Sequence, residues 1–548
     1  MKLNKKEIYF LALVSTILII VTSLPIIYGY LISGNSYYNG LHIFSPLDGS
    51  VYYSYIQQVK EGKILLDDLF TNEPGGLKLF NVFWLVVGLI ARILQLSPPL
   101  AYHLCRLILI PVFLICLYKF ISYVLDNASF CRKKICCLYS IFATGVGGLS
   151  ILLFGNRFFN NNPLDLQVPE SSSFLTLFYS PHFIASLTLI ILIFYFFLRA
   201  LEKNRFILSV LAGSLALILF NFHPFFVPLI DGLPFFYLLI LFIREKKFEI
   251  SKLGHYLLLV SISFPSVAYY FYLLATNAAL RNKAVQNNCL MPGGLVFFIS
   301  YGFGLLLAIL ACIYLADKRK LNHKNLFLII WFCLGIFFVY GPFNFQRRLT
   351  EGLQIPLTIL AFIALAAFYD FLKTRWPALN KIKFNKISLK VIVLFDVVVI
   401  LMVLLCFSNV MVYTWDFKYL KLKPPVIFIN SQVKQALAWY RSKTDLSQTL
   451  LSARLVGDFT PGLVGRRVFW GHDVETVNFQ TKKDQVEWFW RDNNDDLLKK
   501  EFLKSQRISF VFYSSEEKSM GFFDPSQKNY LTEVYKNNEA AIYKVISN

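Results

Sequence analysis

The stretch Ser45-Pro46-Leu47-Asp48-Gly49-Ser50-Val51-Tyr52-Tyr53 follows the first hydrophobic segment and decides how the rest of the chain is read. It places an acid a few residues beyond the end of an apolar run, with Pro46 and Gly49 shaping the turn around it. Beyond Asp48, Val51, Tyr52, Tyr55, Ile56 and Val59 recur at helical spacing. Ser54, Gln57, Gln58, Lys60 and Glu61 take the opposite face, and Gly62 ends the pattern. The expected element is an amphipathic helix on a membrane surface. Asp48 either caps that helix, acts chemically, or does both. A carboxylate at such a place can take a proton from a hydroxyl or amine, or hold a metal ion. Asp67, Asp68 and Glu73 form a later acidic group before Pro74-Gly75-Gly76 and are candidates for further acids or metal ligands.

Composition sets the surroundings of this stretch. The 548 residues are 56% hydrophobic, with a mean hydropathy of +0.55, too apolar for a chain whose polar residues must cover a water-exposed surface. Apolar runs long enough to cross a bilayer recur to about residue 413 and then stop. The predicted fold class is therefore mostly α: a polytopic transmembrane helical bundle over 1–413, followed by a water-soluble α/β domain over 414–548. The first segment, from Ile8 to about Ile32, is too long for a signal peptide and precedes no small-residue cleavage site, so it reads as a retained span. None of the nine cysteines lies beyond Cys406, so the tail holds no internal disulfide.

The net charge of +21 would suggest nucleic acid in a soluble protein. Here the basic residues gather between apolar segments, so topology explains them and no nucleic-acid partner is expected. Candidate spans are 8–32, 78–97, 101–125, 135–155, 181–200, 206–222, 225–243, 254–275, 294–315, 325–341, 353–372 and 390–413. From Arg132/Lys133/Lys134 onward, basic clusters fall in every second loop: Lys203/Arg205, Arg244/Lys246/Lys247, Lys318/Arg319/Lys320 and Lys373/Arg375/Lys381/Lys383. Counting back from these to the first loop leaves one crossing too many. The segment 78–97, carrying Lys78, Asn81 and Arg92, is the better candidate for partial insertion, leaving about 11 crossings. The expected orientation is an N-terminus in the cytoplasm, with the first loop 33–77 and the tail outside, in a multi-pass cell membrane. Arg281 and Lys283 depart from the scheme, falling in a loop it places outside.

A second departure is Arg347-Arg348, a basic pair on the disfavoured side. Guanidinium groups grip phosphate oxygens through paired hydrogen bonds, and at an outer membrane face the available phosphates belong to lipids or lipid-linked substrates. Arg106, one turn from His103 near the start of its span, is a further phosphate-binding candidate. His182 and His223, beside Pro181 and Pro224 at outside helix ends, and Asp165 in an Asn-rich loop complete the candidate list. In the tail, Arg466, Arg467, Trp470, His472, Asp473 and Glu475 make a polar and aromatic cluster that also suits the core and turns of a small domain. Strands are expected over Leu450–Leu455, Arg467–Trp470, Ile508–Tyr513 and Ala541–Val545, with helices near Gln432–Arg441, Lys482–Trp490 and Asp495–Lys504 and tight turns at Gly457, Pro461, Gly462, Gly465 and Gly471.

Taken together, the chain resembles the GT-C superfamily of polytopic glycosyltransferases, which includes protein O-mannosyltransferases, aminoarabinose transferases and oligosaccharyltransferases. The resemblance rests on Asp48 in the first outside loop, the surface helix after it, the many spans and the α/β tail. Pro46-Leu47-Asp48-Gly49-Ser50-Val51-Tyr52-Tyr53, Ser180-Pro181-His182-Phe183, His223-Pro224, Gln346-Arg347-Arg348 with Gly352 and Pro356, and Pro461-Gly462 with Gly465-Arg466-Arg467-Val468 and Gly471-His472 resemble a bacterial branch of it. It implies transfer of a sugar from a polyprenyl-phosphate carrier to a glycan, lipid or protein acceptor at the outer face. It assigns the base or acceptor-binding role to Asp48, and a contact with the lipid phosphate to Arg347 or Arg348. Many relatives carry paired acids in the first loop where Asp48 stands alone, so a divalent metal stays an open assignment. A transporter or lipid-carrier flippase, and a non-catalytic partner in surface-glycan assembly, remain alternatives.

Overall fold

A computed structural model describes residues 3–44, 46–73, 78–155, 163–317, 320–375, 383–384, 387–388 and 406–546. Outside these fall Ser45, Pro74-Gly75-Gly76, the Asn-rich stretch 156–162, Lys2, Lys318, Arg319, Lys381 and most of the apolar stretch 390–413. Seven helices among the described residues are long and apolar enough to cross a membrane: Lys5–Ile32, Pro98–Val124, Pro181–Lys203, Pro224–Glu245, Ile250–Thr276, Gly294–Leu315 and Gln346–Phe371. The pair Phe130–Phe142 and Gly147–Phe154, bent by 49°, makes an eighth when counted as one span. Glycine makes that bend possible. A Cβ on Gly145 would overlap the backbone of Ile299 and Ser300, while the Val146 N–H donates to the Ile299 carbonyl (2.8 Å). The segment around 78–97 forms a helix only over Val82–Ile93, capped by the Asn81 side chain. Its 12 residues rise about 18 Å, short of a hydrocarbon core of about 30 Å.

The described chain falls into two compact units. One comprises Met1–Ser23, Arg106–Ala268 and Cys289–Trp415 and is built of apolar helices. Its interior includes Trp331, with the rings of Phe194 at 4.7 Å and Phe120 at 5.9 Å.

The other unit comprises Leu24–Cys105, Tyr269–Asn288 and Asp416–Asn548. Its sheet has five strands in the order Arg467–Val468, Thr449–Leu451, Ile508–Ser514, Ala540–Val545 and Leu531–Lys536. The first three are parallel, and the last two pair antiparallel as a closing hairpin. Helices Ser431–Lys443, Arg454–Val464, Phe479–Arg491 and Asp496–Ser505 complete the α/β arrangement. Trp490, Phe489, Val511 and Leu503 are wholly buried in its core. The expected strand over Leu450–Leu455 ends at Leu451, and a helix begins at Arg454. Gly457, Pro461 and Gly462 suggested turns, yet all three lie inside that helix.

The first-loop helix spans Pro46–Lys60, so Asp48 stands in its first turn rather than at its cap. Its polar side is not solvated: Ser54, Gln57 and Gln58 are buried with the apolar residues. Gln58 exchanges two hydrogen bonds with the backbone of Asp67 (2.8 and 2.9 Å), which supplies the partners that water would have offered. The glycines of Arg454–Val464 explain the rest. A Cβ on Gly462 would lie 2.6 Å from the Ser50 hydroxyl, and one on Gly457 would overlap the Trp470 carbonyl. Those glycines serve close backbone approach, not turning. Gly457→Ala should therefore cost about 1–3 kcal/mol despite alanine's better helix propensity. Gly294→Ala, which meets nothing within 4 Å, should be neutral or stabilising; thermal melts of both variants check this.

Candidate active site

Asp48 occupies a helix start, where unpaired N–H groups favour a negative charge. A hydrogen bond to the first-loop helix and a glycine contact within the tail shape its surroundings. The Ser50 hydroxyl donates to the Asp458 carbonyl (2.5 Å), and a Cβ on Gly471 would lie 2.7 Å from the Gly457 carbonyl oxygen. Helix Arg454–Val464 and the Gly471–Thr476 turn thus meet, carrying Asp458 and His472 toward the first-loop helix. His472 Nε2 lies 3.2 Å from Asp48 Oδ1. The His472 side chain is 4% exposed and that of Asp48 50%, so the imidazole is fixed inside while the carboxylate remains open to solvent. His472 Nδ1 accepts the N–H groups of Val474 (3.2 Å) and Glu475 (3.3 Å), which assigns the Nε2 hydrogen to the bond with Asp48.

Burial alone would keep this imidazole neutral. The hydrogen bond and charge of Asp48, with Glu475 and Asp473 nearby, outweigh it and raise the His472 pKa to about 8. Asp458 is the opposite case. Its side chain is 2% exposed, its Oδ2 lies 3.6 Å from Arg454 Nε, and its Oδ1 has no hydrogen-bond partner. Burial pushes its pKa up to about 7 against the pull of His472 and Arg454.

The loop 67–73 in the same unit is bound by cations. Asp67 pairs with Lys63 and with Lys78 (2.6 Å), which hold it below the usual carboxylate range despite burial. Asp68 pairs with Lys283 (3.0 Å), which also meets Glu475. Burial opposes the charge on Lys283, but the two carboxylates raise its pKa well above the ordinary lysine value. Glu73 meets Lys482 at 3.0 Å, and Lys482 also donates to the Thr71 hydroxyl (2.8 Å). Arg467 donates to the carbonyls of Asp68 (2.8 Å) and Thr71 (2.6 Å).

The first-loop acids open to a divalent metal are therefore already engaged: Asp67, Asp68 and Glu73 by lysines, Asp48 by His472. Among the described residues no group of three or more His, Cys, Asp or Glu side chains is placed to hold a metal ion. This donor set does not fit a divalent ion, and no step below is routed through one.

The remaining candidates lie in the helical unit. Arg348 Nη1 lies 3.7 Å from Glu170, and its guanidinium carbon is 5.4 Å from the centre of the Phe225 ring. The Phe225 ring is 4.8 Å from that of His223, which is 5.1 Å from that of His182. Arg348, His182 and His223 thus share one aromatic-lined cluster, with both histidines buried. Arg347 donates its backbone N–H to the Cys289 carbonyl (2.9 Å) and sits beside this cluster in sequence. Arg106 is fully buried and donates to the hydroxyls of Thr22 (2.7 Å) and Ser23 (3.2 Å) and to the Leu177 carbonyl (3.3 Å). Asp165 is also buried. It accepts from the Ser408 hydroxyl (2.6 Å) and the Gly147 N–H (3.2 Å), yet burial dominates and raises its pKa to about 7.

Sequence reasoning did not single out Asp458, Arg454 or Lys482 as site residues, and it named His472 without connecting it to Asp48. For Lys283 there was a signal, since a lysine in a loop expected to lie outside broke the charge pattern. Its partners Asp68 and Glu475 account for it.

No protein-family model and no curated protein sequence matches the chain. Solved structures do. The oligosaccharyltransferase AglB from Archaeoglobus fulgidus, in complex with an inhibitory peptide and a dolichol-phosphate, superposes with a TM-score of 0.56 at 12% identity, over 93% of this chain and 70% of that one. ArnT from Cupriavidus metallidurans bound to undecaprenyl phosphate gives 0.51 at 10% identity, over 100% and 99%. The arabinofuranosyltransferase AftD from Mycobacteria gives 0.54 at 12% identity, over 100% of this chain and 42% of that one. The fold is GT-C-like: a polytopic helical bundle with a C-terminal α/β region. With seven such apolar helices among its described residues, the chain is a multi-pass membrane protein.

Lys283→Met would leave Asp68 and Glu475 buried without their cation. It should cost about 3–5 kcal/mol, and Asp68→Asn in the same chain should recover part of that loss; thermal melts of the single and double variants measure both.

Proposed function

We propose that the chain is a membrane glycosyltransferase that moves a sugar from a polyprenyl-phosphate-linked donor to a glycan, lipid or protein acceptor at the extracytoplasmic face. The observation that carries this reading is a half-exposed carboxylate, Asp48, on the first turn of the first-loop helix in a GT-C-like fold. The lipid phosphates bound in the ArnT and AglB structures support a lipid-linked donor.

The chemistry is displacement with inversion. The acceptor's oxygen or nitrogen attacks the anomeric carbon and gives its proton to Asp48. The bond from that carbon to the phosphate oxygen breaks, and its electron pair leaves on the phosphate. Arg348, with Arg347 and the His182/His223 cluster, offsets the charge growing on that phosphate. Glu170 lies 3.7 Å from the Arg348 guanidinium, beyond hydrogen-bond distance. The long apolar helices sheath the polyprenyl tail. Arg106 and Asp165 belong in this reading to the frame of the helical unit, where both are held by hydroxyl and backbone partners.

The orientation proposed is a cytoplasmic N-terminus, with the first loop 33–77 and the α/β domain over 414–548 extracytoplasmic. A reporter fused after residue 548 that is active only outside the cytoplasm should report activity, and silence there would reverse the topology. In reconstituted membranes with a panel of radiolabelled polyprenyl-phosphate hexoses, Asp48→Asn should lower turnover by about 10²- to 10⁴-fold. Full activity of that variant would remove Asp48 from the mechanism. Arg348→Ala should lower turnover by about 10²-fold or more, as expected for loss of a group that stabilises developing charge.

A further inference from the structure

We propose that His472, supplied by the tail, is a positioning residue for Asp48: its buried imidazole holds the open carboxylate in one orientation through the Nε2 hydrogen bond. The inference rests on the reading of Asp48 as the group that receives the acceptor's proton.

A carboxylate on a half-exposed first turn has several rotamers open to it, and reaction with a bound acceptor needs one. His472 is suited to select it because the ring cannot turn freely. Its Nδ1 is held by two backbone N–H groups, and its edge meets Phe70 with ring centres 5.9 Å apart. The turn that carries it is tied down as well. Thr476 Oγ1 accepts the Gly471 N–H (3.1 Å) and donates to the Phe70 carbonyl (2.9 Å). The imidazole carries hydrogen on Nε2 whether neutral or protonated, so the bond to Asp48 persists in both states; in the neutral ring Nδ1 accepts from the two backbone N–H groups, and on protonation Nδ1–H faces Asp473 Oδ1 at 3.4 Å instead.

The groups facing the ring come from four directions. Asp48 lies on the first-loop helix, and Asp473 and Glu475 lie on the ring's own turn. Asp458 and Arg454 lie on helix Arg454–Val464, and Lys283, on helix Ala278–Gln286, engages Glu475. Carboxylates outnumber cations there, so the imidazolium is favoured at neutral pH, and the half-exposed Asp48 receives the benefit. A ring held only as a packing element would show no dependence on Asp48.

The test is histidine-selective NMR titration of the full-length protein in detergent. The chain has seven histidines, and His472→Gln identifies the resonance by its loss. The expected result is a resonance titrating near pH 8 in the parent protein. In Asp48→Asn it should titrate lower by about one pH unit or more. A His472 resonance titrating at or below the free-imidazole value of about 6.5 in the parent protein overturns the inference without any variant having to fold. So does one that Asp48→Asn leaves in place. Turnover of the same Asp48→Asn protein on the polyprenyl-phosphate hexose panel separates the two failures. Lost turnover with an unmoved His472 overturns the positioning role alone, whereas full turnover with a shifted His472 overturns the role of Asp48 in transfer.

Discussion

Lys283, buried between Asp68 and Glu475, is the interaction on which the arrangement around Asp48 depends. A lysine taken out of water pays heavily for its charge unless carboxylates surround it. It therefore fixes two otherwise separate pieces of backbone: the first loop through Asp68, and the His472 turn through Glu475. Arg467 and Lys482 bind the same loop through Asp68, Thr71, Asn72 and Glu73. A loop rich in acids is thus ordered by cations from elsewhere in its unit, not by its own short sequence.

The second constraint is steric. Gly457, Gly462 and Gly471 remove the side chains that would hold the tail away from the first-loop helix. Close packing of backbone on backbone leaves little slack, which is what a hydrogen bond between residues 48 and 472 requires. The same contacts bury Ser54, Gln57 and Gln58 and supply their polar partners from protein instead of water. Asp48 alone among these acids is left half open. Asp67, Asp68 and Glu73 are engaged by lysines, whereas Asp48 meets His472.

The helical unit follows a different logic. Its Arg348 lies over the Phe225 ring, beside the His182 and His223 rings, which pack against each other. The Arg348 guanidinium lies over an aromatic face with the Glu170 carboxylate at 3.7 Å, and its charge and forked donors suit an anion. Arg106 shows the contrast: fully buried and donating to hydroxyls and a carbonyl, it joins helices. Two arginines with similar sequence credentials therefore have different surroundings.

Much was legible in the sequence because it follows from local periodicity and transfer energies. Long apolar runs require spans, the spacing after Asp48 requires a helix, and alternation in the tail requires strands around an α/β core. Those signals set out the spans, the first-loop helix and the α/β tail, while the GT-C-like fold and the role given to Asp48 came from the resemblance. The errors have a common source, since Gly457, Pro461 and Gly462 carry the letters of a turn but serve contact between backbones. Sequence likewise showed Lys283 as misplaced and His472 as one polar residue among several. Only the tertiary structure joined them to Asp68, Glu475 and Asp48, across separations of 215, 192 and 424 residues. Periodicity is a property of neighbours along the chain, whereas the burial of a charge and the partner that offsets it are settled by what the fold brings together.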